Sequence, residues 1–302
     1  MLRKSVGWYP LFFLLFSCGR IGVERIADDT DSADTSHGQG SDDDATPPTD
    51  TGTEPTTDID SSTDTDARFE LNVLSGIVLW LDADYPPAII EDLGVAEWRD
   101  RSGNNHHATQ GTGSSQPTLF PNAFESRSAI EFDGIDDFLV SEDYQPLADY
   151  DVFLVWKSPI LPSIDELSAL VRYGAEQFNT NIEITHGHYL DAFRNAATLS
   201  MGGGYLVARF DDPAIDTPYL WQMTFDSVLG RLTSRTNGHF SNQYGDFPGA
   251  PDSAGTGLGI GARVNAIQHF RGFIGELIIY DHVLSDADRA KVESYLRSKW
   301  SF

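Results

Sequence analysis

Ile77-Val78-Leu79-Trp80-Leu81 is an unbroken apolar run that stops at Asp82-Ala83-Asp84. A run this short suits a strand better than a packed helix. No polar residue alternates into it, so both faces of that strand must be covered. Similar short runs recur outward along the chain: Ala129 to Phe132, Phe138 to Val140, Val152 to Trp156, Leu167 to Tyr173, Ile182 to Ile184, Tyr205 to Phe210, Tyr219 to Phe225, Arg231 to Thr236 and Phe273 to Tyr280. Each is rich in β-branched or aromatic residues and bounded by Gly, Pro, Asn or Asp, the residues that turn a chain between strands. Asn237-Gly238 is a tight hairpin signal, because both residues tolerate positive φ. Gly230 marks a second turn, between a strand ending near Asp226 and one starting at Arg231.

Helical periodicity is nearly absent from this region, with one exception near the end. Ser285 can cap a helix whose first turn holds Asp286 and Asp288, where carboxylates suit the dipole. Val292, Tyr295, Leu296 and Lys299 follow at helical spacing, and Arg297 and Lys299 occupy the last turn. Many strands, frequent turns and one closing helix predict an all-β fold: a two-sheet antiparallel jelly-roll sandwich with a short C-terminal helix.

The 302 residues carry a formal net charge of −26. Phosphate contacts need clustered Lys and Arg, so this balance argues against nucleic acid as a partner. About half of the charge sits in one stretch. From Ala27 to Asp66 there are thirteen acidic residues and no Lys, Arg or aromatic. Such a segment buries too little apolar area to offset its chain entropy and is expected to be disordered. As a coil it would reach roughly 40 Å, and charge repulsion would extend it further. Its aspartates show no fixed period and no glycine at a loop position, which argues against a calcium repeat.

Cys18 is the only cysteine, so no intrachain disulfide can form. It follows Arg3, Lys4 and an apolar run ending in Leu11-Phe12-Phe13-Leu14-Leu15-Phe16, too short to span a bilayer and suited to a signal-peptide core. Leu15-Phe16-Ser17-Cys18 resembles the bacterial lipobox, in which the cysteine is lipidated and becomes the mature N-terminus; Phe16 is larger than that pattern prefers. Gly19, rather than Asp, follows the cysteine, which in lipoproteins of this kind implies export to the outer membrane. The expected organisation is a lipoprotein signal peptide over 1–17, an acidic tether over 18–67 and one domain over 68–302, held to the membrane through the lipid alone.

Four motifs in order carry a further resemblance. They are Leu79-Trp80-Leu81-Asp82-Ala83-Asp84; Trp98-Arg99-Asp100-Arg101-Ser102-Gly103-Asn104-Asn105-His106-His107-Ala108-Thr109-Gln110; Ile130-Glu131-Phe132-Asp133-Gly134-Ile135-Asp136-Asp137-Phe138-Leu139; and Gly272-Phe273-Ile274-Gly275-Glu276-Leu277-Ile278-Ile279-Tyr280-Asp281 with Leu284-Ser285-Asp286. Together they resemble the laminin-G-like, concanavalin A-like lectin/glucanase jelly-roll domains of bacterial surface proteins. The likeness covers most of the chain after the tether and is weakest over 159–204. It implies two stacked antiparallel sheets. It also implies a structural calcium held by turn aspartates and carbonyls, since calcium takes six to eight oxygen ligands. The residues matched are Asp133, Asp136 and Asp137, with Asp100 or Glu276 as further ligands. The other reading is that these carboxylates only hydrogen-bond within their turns.

Catalysis is weakly supported. Glu131-Phe132-Asp133-Gly134-Ile135-Asp136 superficially follows the alternating carboxylates of glycoside hydrolases on this sandwich, but Gly134 interrupts the strand and the last position is Asp. His186-Gly187-His188 and His106-His107 lack a third ligand at metal spacing and read as surface or turn histidines. Trp80, Trp156 and Trp221 lie in apolar strands and should be buried. Trp98 and His239 are also available to a ligand, and Tyr189, Tyr205 and Tyr244, beside polar or Gly-rich segments, are the better surface candidates for stacking on sugar rings. Three functions follow in order of preference: a non-catalytic surface lipoprotein that binds polysaccharide or a surface glycan or mediates adhesion; an envelope lipoprotein that binds protein; and a diverged polysaccharide hydrolase.

Overall fold

The computed structural model describes residues 74–302 apart from 164–165, 175–180, 190–191, 194, 202–203 and 254. The signal segment, Cys18 and the acidic tether lie outside the described residues. Along the chain the strands are β1 (Ile77–Asp82), β2 (Ile89–Glu91), β3 (Val95–Trp98), β4 (Ala108–Thr109), β5 (Thr118–Phe124) and β6 (Arg127–Asp133). Next come β7 (Leu139–Ser141), β8 (Tyr150–Lys157), β9 (Leu167–Tyr173), β10 (Glu183–Tyr189), β11 (Ala192–Phe193) and β12 (Ala196–Met201). The last are β13 (Gly204–Arg209), β14 (Tyr219–Asp226), β15 (Arg231–Thr236), β16 (His239–Gly245), β17 (Leu258–Ile260) and β18 (Arg271–Tyr280), followed by helix α1 (Asp286–Trp300).

The strands form two antiparallel sheets. One runs β16-β15-β14-β8-β18-β6-β5, with β1 also paired to β18; the other runs β13-β12-β10-β9-β17-β7-β4-β3-β2, with β11 on β10. Strand β18 organises the first sheet. Its start pairs with β6 (Ile274 opposite Ile130), its end pairs with β1 (Asp82 opposite Glu276), and β8 lies along its other edge.

Period-two geometry explains the apolar runs. Val152, Leu154 and Trp156 of β8 point into the core between the sheets, with Leu79, Leu81, Trp221, Ile274 and Leu277 from the same sheet and Val171, Ile184 and Leu199 from the other. Phe153 and Val155 point the opposite way, into a second apolar cluster with Trp80, Phe124, Ile278, Val292, Leu296 and Trp300. Helix α1 therefore covers the outer face of the first sheet, which is why Ile77 to Leu81 needs no polar alternation. Ser285 caps α1 as its sequence requires, accepting from the Asp288 N–H at 3.1 Å.

The expected strands are present, with ends shifted by a few residues. Strands β2, β3, β4, β5, β11, β12 and β17 lie outside the runs read from sequence. They are short, carry Pro121 in an edge strand, or consist of small residues (Ala196-Ala197-Thr198), and the partner sheet rather than local composition sets their conformation.

Candidate functional site

Strand β6 ends at Asp133, and the chain turns back to β7 through Gly134-Ile135-Asp136-Asp137. Gly134 adopts φ +78°, and a Cβ there would lie 2.7 Å from Cβ of Arg271 on the neighbouring strand, so this turn needs glycine twice over. Asp133 Oδ1 accepts the backbone N–H of Ile135 at 2.7 Å, with longer bonds from Asp136 and Asp137 at 3.3 and 3.4 Å. Asp137 Oδ2 returns the favour, accepting the Asp133 N–H at 2.9 Å, and Asp136 Oδ2 accepts from Ser115 Oγ at 3.2 Å.

The turn thus brings three carboxylates together, with one oxygen of each within 4.8 Å of the others. Burial first, then the neighbouring charges of Asp133 and Asp136, push the Asp137 carboxyl up to about 6. The donor set is oxygen only, which is chemistry that calcium accepts. Asp133 and Asp137 each spend one oxygen on backbone N–H groups of the turn and Asp136 spends one on Ser115, which leaves one oxygen of each for a cation, so these residues fit half of a calcium shell; carbonyls or waters would supply the rest.

Asp100 and Glu276 do not join them, a correction to the ligand set expected from sequence. Asp100 Oδ1 accepts from the backbone N–H of Trp80 (2.9 Å) and Ser102 (2.8 Å), and its Oδ2 from Ser102 Oγ (2.7 Å) and the His106 N–H (3.1 Å), so the side chain fastens the 100–106 turn to β1. Glu276 is fully buried under α1, its carboxylate held by Trp80, Tyr295, Lys299 and Trp300. Neither has an oxygen to spare.

The first residues of the acidic turn, Asp133, Gly134 and Ile135, rim an open cleft of about 830 Å³. Glu131 and Asp133 line it from one face of β6, with Arg271 and Phe273 from β18 and Lys157 from the end of β8. The 158–162 loop, Ser168, His186, Asp216 and His269 complete the wall. Four carboxylates (Glu131, Asp133, Glu166, Asp216) face two cations (Lys157, Arg271), over apolar surface from Ile135, Ile160, Pro159 and Phe273. Charged groups of both signs over apolar patches suit a neutral ligand with many hydroxyls better than a strongly charged one.

Of the aromatic candidates, Tyr244 is exposed on β16 and stacks with Phe247, ring centroids 6.3 Å apart and 21° from parallel. Tyr205 is half-buried on β13, its phenol raised by burial and by Glu183, which is ion-paired with Arg172 and Arg263. The side chain of Tyr189 lies outside the described residues. Trp80, Trp98, Trp156 and Trp221 are buried, and His239 is exposed. His186, read from sequence as a surface histidine, is instead buried against Trp156 (ring centroids 4.9 Å apart). Lys157 and Arg271 were not legible as site residues; the only signal is that each interrupts an apolar strand at its end.

No protein-family model and no curated protein matches the sequence. Solved structures do share the fold. Domain 4 of AbnA, a GH43 extracellular arabinanase from Geobacillus stearothermophilus in complex with arabinotriose, superposes with a TM-score of 0.52 at 16% identity, covering 73% of this chain and 98% of that one. The binding domain of Paraclostridial Mosquitocidal Protein 1 gives 0.52 at 14%, covering 76% and 53%. Trypanosoma rangeli sialidase in complex with sialic acid gives 0.51 at 12%, covering 75% of this chain but only 33% of the sialidase. The chain therefore spans about a third of the sialidase's length and about half of the toxin domain's. These likenesses establish the β-sandwich.

Proposed function

We propose that this chain is a surface lipoprotein whose sandwich domain binds carbohydrate without cleaving it. The observation that carries the reading is the 830 Å³ cleft, with charged groups of both signs set over apolar surface. A cleft of this size admits a short oligosaccharide, since ligand pockets run to roughly 300–1,000 Å³. Arg271 and Lys157 can donate to ring and hydroxyl oxygens while Glu131 and Asp216 accept from hydroxyls. Calcium at Asp133, Asp136 and Asp137 would neutralise the rim and hold the turn, giving the cleft a fixed edge. The arabinanase domain solved with arabinotriose and the sialidase solved with sialic acid share this fold, which is compatible with a binding role. Lipidation of Cys18 would place the domain at the outer membrane, beyond the acidic tether.

The test is calorimetric titration of the full chain with arabinotriose, sialyllactose and a panel of plant and bacterial oligosaccharides, in calcium and in EDTA. Binding that falls about tenfold or more in Arg271→Ala, with no reducing ends released, supports the reading. Retained affinity in Arg271→Ala moves the site elsewhere, and released sugar makes the chain a hydrolase.

One observation favours the protein-binding alternative. Val228 (79% exposed), Leu229, Tyr244 and Phe247 form an apolar patch beside β16, the last strand of its sheet. Backbone bonds from Phe247 to Gly230 and from Gly249 to Ser227 lace its two segments together. Exposed apolar surface of this kind suits a protein partner. Co-purification of an envelope protein that is lost on Phe247→Asp would support it.

A further inference from the structure

We propose that Phe273 is the stacking platform of the cleft, and that one sugar ring of the ligand lies flat on it between Glu131 and Lys157. The inference rests on the carbohydrate-binding reading and names the contact that orients the sugar. Strand register places the three residues. Phe273 of β18 pairs with Glu131 of β6 on one side and with Lys157 of β8 on the other. Residues paired directly across antiparallel strands share a face. Here it is the outer face, because Ile130, Trp156 and Ile274, their neighbours in sequence, all point into the core between the sheets. Strands lie about 4.8 Å apart, so the two charged stems flank the phenyl ring at about 10 Å from each other. That gap suits one sugar ring with its hydroxyls.

Helix α1 stops short of this ring. Trp300, at its end, packs over Gly275 and against Phe124, with ring centroids 5.1 Å apart. Phe273 borders that cluster and lines the cleft half-buried, whereas Phe132, which also lines it, is fully buried. Tyr205 and Tyr244 do not line it. Phe120, 43% exposed on edge strand β5, stands opposite the small Ala129 and meets Phe273 edge to face, 5.5 Å between centroids. The two rings make an open apolar corner, which suits the C–H face of a sugar. The charges beside it are unspent: the side chains of Glu131, Lys157 and Arg271 make no hydrogen bond or ion pair with any described residue. Elsewhere in the domain Arg101, Arg127 and Lys299 are each paired with a carboxylate. The Lys157 ammonium lies 5.2 Å from the Phe273 centroid and 5.4 Å from that of Phe124, so a cation already occupies the ring face that a sugar would take. Its flexible stem lets it withdraw to the sugar's edge and donate there. Glu131 accepts hydroxyls at the opposite edge, since an ionised carboxylate only accepts.

The experiment is NMR of the full chain, deuterated except at its phenylalanine rings, with arabinotriose, sialyllactose and the tightest binder of the panel, beside calorimetric titrations of Phe273→Leu, Phe273→Tyr, Glu131→Ala and Tyr244→Ala. The bound sugar's C–H protons should show cross-relaxation with a phenylalanine ring. That contact should vanish in Phe273→Tyr, which keeps an aromatic face but no protonated phenylalanine ring at this position. Affinity should fall about tenfold in Phe273→Leu and stay within about threefold of wild type in Phe273→Tyr. In Glu131→Ala it should fall about tenfold. If Phe273→Leu fails to fold, the wild-type contact and its loss in Phe273→Tyr decide. A contact that persists in Phe273→Tyr overturns the inference, as does unchanged affinity in a folded Phe273→Leu or in Glu131→Ala. A loss confined to Tyr244→Ala overturns it too and moves the platform to β16. In each of these cases sugar binding by the wild type leaves the wider reading standing. No binding to any panel member overturns both.

Discussion

Trp80 and Trp300 donate their indole N–H groups to the two oxygens of one carboxylate, that of Glu276, at 2.6 and 2.7 Å. Trp80 stands on the first strand, Glu276 on the last, and Trp300 at the end of the closing helix, so one side chain joins both ends of the domain. Tyr295 (3.0 Å) and Lys299 (2.9 Å) add two further donors, and Lys299 and Arg101 also pair with Asp82, opposite Glu276 in the sheet. Removing this carboxylate strands two buried indoles and leaves the Lys299 ammonium with Asp82 as its remaining carboxylate. Glu276→Ala should cost about 3–5 kcal/mol, the range for breaking a buried ion pair on one side. Denaturant unfolding measures it; a loss below about 1 kcal/mol would mean that the helix is held by apolar packing alone.

Gly275 makes the approach of that helix possible. A Cβ at this position would stand 2.7 Å from the Trp300 ring, while its φ is unremarkable, so the constraint is steric rather than conformational. Gly275→Ala should cost about 1–3 kcal/mol by overpacking. Trp300→Leu removes the clashing ring and an indole bond and should cost a few kcal/mol by itself. In the double variant the two costs should fall short of their sum by about 1 kcal/mol. Strict additivity would show that Gly275 and Trp300 do not meet.

The same residues show how far the sequence could be read. The run Ile77 to Leu81 demands cover on both faces, and the structure supplies a core on one side and α1 on the other. Asn237-Gly238 predicts a hairpin, and both residues take positive φ (51° and 75°). What the residues could not reveal is partnership at long range. Glu276 and Asp100 look like free acidic ligands until the pairing of β1 with β18 and the fold of the 100–106 turn bring donors to them. His186 looks like an exposed histidine until the fold packs it on Trp156 and Asn195 closes on its Nδ1. Lys157 and Arg271 become site residues only because adjacent strands end together.

Asn237-Gly238 gives a local test of the hairpin. Alanine at Gly238 must adopt the left-handed region and also press on the Arg297 guanidinium, 2.4 Å from its Cβ. Gly238→Ala should lower stability by about 1 kcal/mol or more, while Asn237→Gly should change it by less. Equal effects at both positions would exclude the two-residue turn as the reason for these residue types.

The acidic turn yields the sharpest dependence on conditions. The Asp137 carboxyl titrates near 6 in the folded chain against an ordinary value of 3.8. The folded state thus retains a proton that the unfolded state has lost, and stability must fall as pH rises between these two values and level off above 6. A bound cation reverses the preference, because it favours the carboxylate. In EDTA, the melting temperature of the wild type should therefore drop relative to Asp137→Asn between pH 4 and 6.5. In millimolar calcium the wild type should gain on the variant over the same range, and Asp136→Ala should lose the calcium response. Other carboxylates titrate there too, so the difference between wild type and variant is the quantity to follow. Wild-type curves that coincide in calcium and EDTA would leave Asp133, Asp136 and Asp137 as a turn closed by its own N–H groups, with the cleft's rim set by hydrogen bonds and Gly134 alone.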